Sequence, residues 1–309
     1  MTTDLKNPQS ISQKASDQRS GQKTILIAEH AGYCHGVKKA VDKTVDTGEA
    51  SGKPVYVLGQ LIHNQQVIDK LAEQGIRTVA SLDEIPKGSV CVIRTHGSPP
   101  ELVDEAKRRG IEVSDATCPD VKLVQNKAIQ LVEEGYTVVV VGKEDHPEVI
   151  GITAHARRMG EESKIVCANR PEELDEKLSG LPKRRIGIVS QTTQKEETFF
   201  EMVHALSKIA KELKVFNTIC PATFFRQNAA MKLAGQVDFM VVIGGKNSSN
   251  TTHLMEICRE QGTAALHIET YKELENTSLL SDADTIGVTA GASTPDWIIQ
   301  EVIDYIEEQ

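Results

Sequence analysis

Residues 24–45 read TILIAEHAGYCHGVKKAVDKTV. The opening apolar run predicts a strand, and Val37, Val41 and Val45, four apart, predict one face of a helix. Between them stands Cys34, at the junction rather than on the inner side of either element. The same order returns twice. Residues 112–135, EVSDATCPDVKLVQNKAIQLVEEG, place Cys118 between a strand and a helix with Val121, Val124, Ala128 and Leu131 inward. Residues 214–235, KVFNTICPATFFRQNAAMKLAG, do so around Cys220.

The parallel extends outward. A strand ending in glycine follows each helix: VYVLG to Gly59, VVVVG to Gly142, MVVIG to Gly244. Four residues later comes a polar side chain, His63, His146 or Ser248, at 29, 28 and 28 residues from the respective cysteine. A helix follows in each case. A third strand then delivers a third polar residue: VCVIRTHGS gives His96, IGIVSQTTQ gives Thr192 and IGVTAGAST gives Ser293. Self-similarity at this scale predicts repeated supersecondary units. We expect an α/β protein of three similar domains with small parallel sheets in a pseudo-threefold arrangement around a central cavity. The expected divisions are a disordered tail over 1–22, domains over 23–113, 114–213 and 214–294, and a C-terminal helix over 295–309. Ligands of parallel α/β sheets gather beyond the carboxyl ends of the strands, where all nine positions fall.

Bulk properties narrow the function. The 309 residues carry a formal net charge of −9, the wrong sign for a protein that neutralises nucleic-acid phosphates. No apolar run reaches the ~18 residues of a membrane helix. Six cysteines without a C-x-x-C pair do not form a secreted disulfide scaffold, and thiols in such a chain point to the cytoplasm. Residues 1–22 lack the apolar stretch of a secretory signal.

A thiol at a helix start feels the positive end of the helix dipole, which favours the metal-binding thiolate. Taken singly, Cys34, Cys118 and Cys220 could be small apolar fillers, but their equivalence in a repeat favours a metal or cluster. Closed zinc sites take four protein ligands; three thiolates suit an iron–sulfur cluster with one open iron, while catalytic zinc stays open as an alternative. Cys91, Cys167 and Cys258 match no repeat position and read as core thiols. His63, His96, His146, Thr192, Ser248 and Ser293, with Ser249 and Asn250 of KNSSN, are donor-rich positions, several at helix starts that suit a phosphorylated or diphosphate ligand. Glu148, in the first turn after His146, is the one acid of the set and a candidate proton donor; its ordinary reading is dipole complementation.

AGYCHGV, HNQQV, RTHG, DATCP, DHPEVIG, SQTTQ, KNSSN and GVTAGASTP, in order over roughly residues 24–305, together resemble the 4-hydroxy-3-methylbut-2-enyl diphosphate reductase (IspH/LytB) family. The resemblance implies the last step of non-mevalonate isoprenoid synthesis, reductive removal of the hydroxyl of an allylic diphosphate. It implies one [4Fe–4S] cluster per chain on Cys34, Cys118 and Cys220. His63, His96, His146, Ser248, Ser249, Asn250 and Ser293 would anchor the diphosphate, and Glu148 with Thr192 would manage protons. Ferredoxin or flavodoxin would supply electrons, with the basic runs 107–109, 157–158 and 183–185 as docking patches or, as such runs usually are, solvated surface. His35, Phe224 and Phe225 depart from the family pattern. A non-catalytic iron–sulfur sensor or a zinc-dependent lyase are the alternatives.

Overall fold

The computed structural model describes residues 23–159, 164–275, 277, 280 and 282–309; the tail expected over 1–22 lies outside them. In chain order, β1 (Thr24–Ile27) and α1 (His35–Ala50) come first. Next are β2 (Val55–Leu58), α2 (Gln65–Glu73), β3 (Arg77–Val79), β4 (Val90–Ile93), α3 (Pro100–Arg108) and β5 (Glu112–Asp115). Then follow α4 (Pro119–Glu133), β6 (Thr137–Val141), α5 (Pro147–Arg157), β7 (Ile165–Ala168), α6 (Leu174–Lys177), β8 (Arg185–Ser190), α7 (Glu196–Ser207) and β9 (Glu212–Val215). The last are α8 (Pro221–Ala234), β10 (Phe239–Ile243), α9 (Ser249–Glu260), β11 (Ala264–Ile268), β12 (Thr285–Ala290) and α10 (Asp296–Glu307).

The strands form three four-stranded parallel sheets, ordered β3-β2-β4-β5, β7-β6-β8-β9 and β11-β10-β12-β1. The chain divides into two compact units. One takes residues up to 41, 63–69 and 221–309 and holds the β1-containing sheet; the other takes 42–62 and 70–220 and holds the remaining two.

Sheets covered by helices on both faces read as continuous apolar runs, and the runs here have that cause. Along β6, Val138 and Val140 pack with Val124, Ala128, Val149 and Ile152 of α4 and α5. Val139 and Val141 face the other way, onto Phe199, Met202 and Leu206 of α7. In the β1-containing sheet, Val241 and Ile243 of β10 pack on α10, while Met240 and Val242 pack among residues of α8 and α9.

The strand pairing differs from the sequence expectation in one respect. TILI does not join the sheet of residues 23–113; it pairs with β12, Thr24 opposite Thr285 and Ile27 opposite Val288. The expected boundaries at 113/114 and 213/214 likewise fall inside β5 and β9, each the fourth strand of the sheet before its cysteine. The reason is the crossover. A parallel neighbour has to be reached through a connection long enough to hold a helix, so β4–α3–β5 and β8–α7–β9 each complete a sheet. α10 occupies the same place after β12, and β1 fills the position that would follow it.

Candidate functional site

Each sheet ends its third strand in the same four-residue turn, closed by a backbone hydrogen bond from its fourth residue to its first. The bonds are Gly97 N–H to Arg94 O, Gln194 N–H to Gln191 O and Thr294 N–H to Gly291 O, each near 3.0 Å. The turns are RTHG, QTTQ and GAST, so the structural equivalents of His96 and Ser293 include Thr193, and Thr192 stands one residue earlier than the sequence parallel placed it. The second residue of each turn receives a cysteine: Cys118 N–H donates to Thr95 O (3.0 Å), Cys220 N–H to Thr192 O (3.0 Å) and Cys34 N–H to Ala292 O (3.1 Å). Each cysteine thus has the same local setting, at a helix start and tied to a strand-end turn.

All six cysteines are free thiols. Cys91, Cys167 and Cys258 are buried, and burial pushes their thiols up to about 11, 12 and 12, so they remain protonated packing groups, as expected. Cys34, Cys118 and Cys220 are only partly buried. The backbone N–H of Val37 points at Cys34 Sγ (3.4 Å). This donor chemistry fits an iron–sulfur ligand set.

Glu148 is 1% exposed in the first turn of α5. Its Oε1 accepts from the Thr192 N–H (2.6 Å) and its Oε2 from Thr192 Oγ1 (2.8 Å). Burial pushes the carboxyl up to about 7 against these two hydrogen bonds, and the Asp120 carboxylate adds to the rise. Thr192 therefore grips the acid with its amide and hydroxyl while its carbonyl holds Cys220. His146 is the N-cap of α5, its Nδ1 accepting from the Glu148 N–H (3.1 Å). An accepting Nδ1 leaves Nε2 as the donor of the neutral ring. The rings of His96 and His146 meet edge to face, centroids 5.5 Å apart.

In the other unit, Ser248 caps α9, its Oγ accepting from the Thr251 N–H. Ser249 and Asn250 are buried in the first turn of the same helix. Asn250 is 3% exposed, yet neither its amide nitrogen nor its oxygen finds a hydrogen-bond partner among the described residues. Orphaned buried amides are costly and call for a ligand or water. Ser293 Oγ donates to His63 O (2.9 Å), and a Cβ on Gly245 would lie 2.5 Å from that same carbonyl. His63, Ser293 and the glycine-led loop before Ser248 are thus packed together.

Some positions escaped the sequence reading. Gln191 is 2% exposed and donates through Nε2 to Thr193 Oγ1 (2.8 Å). Arg226, 2% exposed on α8, donates to Gly32 O (2.7 Å), fixing the loop before Cys34; a charged residue on an inward helix face was the available signal. Four of the eight basic side chains in the runs are paired: Arg108 and Arg109 with Glu105, Arg109 also with Asp83, Arg158 with Asp104, and Arg185 with Glu212. Phe224 and Phe225 are exposed, and Phe225 stacks on His30 at 5.5 Å; His35 opens α1.

The profile of the LytB protein family matches residues 25–307. The chain belongs to this family. Its relatives include 4-hydroxy-3-methylbut-2-enyl diphosphate reductase of Clostridium perfringens, 42% identical over 291 residues, 93% of this chain and 99% of that protein. The reductase of Aquifex aeolicus is 44% identical over 284 residues, 92% and 96%. A solved structure of (E)-4-hydroxy-3-methyl-but-2-enyl diphosphate reductase, the terminal enzyme of the non-mevalonate pathway, shares 44% identity and covers 92% of this chain and 99% of that one, with a TM-score of 0.68. The Plasmodium falciparum reductase structure shares 25% identity over 92% of this chain and 87% of its own, with a TM-score of 0.83. The three small parallel sheets are those of the LytB fold. No helix among the described residues is long and apolar enough to cross a membrane.

Proposed function

We propose that this protein reductively removes the hydroxyl of (E)-4-hydroxy-3-methylbut-2-enyl diphosphate, giving isopentenyl and dimethylallyl diphosphate. The observation that carries the reading, in a chain of the LytB family, is Glu148: a buried carboxyl with its pKa near 7, gripped by Thr192. Replacing C–OH by C–H consumes two electrons and two protons and releases water, so the reaction needs an acid that is protonated at neutral pH and shielded from solvent.

Cys34, Cys118 and Cys220 would hold a [4Fe–4S] cluster, supported by their equivalent helix-start settings; when bound, it supplies electrons and a Lewis-acidic iron. The chain supplies the rest. Asn250, Ser248 and Ser249 offer amide, hydroxyl and helix-start donors to the diphosphate, joined by Ser293, His63 and His96. His146, its Nδ1 occupied, offers Nε2–H without adding full charge. Glu148 gives its proton to the departing hydroxyl oxygen, and Thr192 keeps the carboxyl from turning away. The electron donor in this reading is a ferredoxin or flavodoxin. Six free thiols and an iron–sulfur cluster suit a reducing compartment, so the cytoplasm is its place.

The test is anaerobic reconstitution with iron and sulfide, then assay with the allylic diphosphate and a strong one-electron donor. Two-electron reduction with water release is expected; absence of reduction by brown, cluster-loaded protein overturns the reading. Cys118→Ser should lose the cluster absorbance. Glu148→Gln should keep cluster and ligand and lose turnover by about 100-fold or more, the range of a lost general acid; near-normal turnover removes Glu148 from its role.

A further inference from the structure

Between β1 and α1 the chain has no regular structure, and Cys34 closes that stretch. Two of its residues take left-handed backbone conformations, His30 at φ +62° and Gly32 at φ +96°. For His30 that conformation is strained, and such backbone persists only where its surroundings over-determine it. At one end the Cys34 N–H is tied to Ala292 O. Gly32 lies against the start of α10, where a Cβ would come 3.1 Å from Asp296 Oδ1 and 3.4 Å from Thr294 O.

A further hold comes from α8. Arg226 on that helix is 2% exposed, and burying a guanidinium is costly unless its N–H groups are bonded. Nη2 donates to Gly32 O at 2.7 Å, and Nη1 donates to Ala222 O at 3.1 Å. Gly32 stands two residues before Cys34, and Ala222 two residues after Cys220. The two bonds do different work. Ala222 is one turn back on the same helix, so its carbonyl orients the fork; Gly32 is 194 residues away in sequence, so its carbonyl ties down the loop. A rigid planar guanidinium makes both bonds at once, which the compact ammonium of lysine does not reproduce.

A metal ligand carried by a loop keeps its geometry only if neighbouring residues lock it. We infer that Arg226 is a positioning residue for Cys34, clamping the 28–34 loop to the helix that follows Cys220 so that the thiol stands in place before a cluster forms. The inference rests on the proposed cluster ligation.

Amide hydrogen exchange of the cluster-free protein, and the rate at which a chelator strips the loaded protein, test it together. Arg226→Met keeps the apolar stem without the fork. It should quicken exchange over residues 30–34, the Cys34 N–H included, about tenfold, the scale of one lost hydrogen bond to a charged group. β10 and β12 should keep wild-type protection, and cluster loss should quicken by a similar factor. Arg226→Lys should recover part of both. Leu233→Ala, which truncates the core face of the same helix, should lower the urea midpoint without singling out residues 30–34 or quickening cluster loss. Wild-type exchange over 30–34 or wild-type cluster retention in Arg226→Met overturns the inference, as does a Leu233→Ala protein that reproduces both effects. If Arg226→Met does not fold, Arg226→Lys and Gly32→Ala, which presses the loop into α10, are read in its place, and wild-type exchange over 30–34 in both overturns it. Wild type that takes up no cluster overturns the proposed ligation instead, and Arg226 is then judged on the exchange of Cys34 alone.

Discussion

A carboxyl group with a pKa near 7 is protonated in about half of the molecules at neutral pH, and Glu148 reaches that state through burial. The consequence for stability has a definite sign. Between 4.5 and about 7 the folded chain keeps a proton that the unfolded chain has lost, so the stabilising contribution is complete below about pH 4.5 and disappears as pH rises through about 7. Wild type should lose stability relative to Glu148→Gln between pH 5 and pH 8, by on the order of 3 kcal/mol at most. Urea unfolding midpoints across that range measure it; parallel pH profiles for the two proteins would contradict a raised carboxyl. Glu148 drew attention in the sequence because a lone acid in a repeat of neutral residues stands out locally. Arg226 was not legible as an individual. Its meaning comes from a carbonyl 194 residues away, a contact that no local pattern encodes.

At the scale of elements, the long apolar runs were readable because both faces of each central strand are covered, and the helices because their apolar residues keep a period near 3.6. The edge strands β3, β7 and β11 were not separated out. β3 is three residues, RTV, with two of them exposed, too little for a periodic signal. The position of Thr192 shows a related limit: sequence spacing aligned it with His96 and Ser293, whereas the turn hydrogen bonds align Thr193. Glycine inside a strand is a clearer sign, marking close approach of another element. A Cβ on Gly187 in β8 would lie 2.5 Å from Cδ2 and 2.7 Å from Cδ1 of Leu131 on α4. Gly187→Ala should destabilise by about 1–3 kcal/mol, the usual cost of overpacking. Leu131→Ala is destabilising alone, but in the double variant the two costs should be less than additive. Denaturant unfolding of the four proteins checks this, and additive costs would mean that the strand–helix contact is not what requires the glycine.

At the scale of the whole molecule, the threefold repeat was visible in the chain but its closure was not, because strand pairing joins residues far apart in sequence. Thr24 lies opposite Thr285, and the pattern of TILI is equally compatible with either neighbouring sheet. The closure has a consequence that separates the two pairings. Thr24 and Ala28 donate their N–H groups to Asp284 O and Val288 O at 2.9 and 2.8 Å, and the alternation of a strand turns the Leu26 N–H the same way. Leu26→Pro removes that donor and strains the ladder on its β12 side. Amide hydrogen exchange should then quicken over residues 285–290 and spread to β10, the next strand in that sheet, while 55–58 and 90–93 keep wild-type protection. The opposite pattern, loss of protection in β2 and β4 with β12 unchanged, would return β1 to the sheet that its place in the chain suggests.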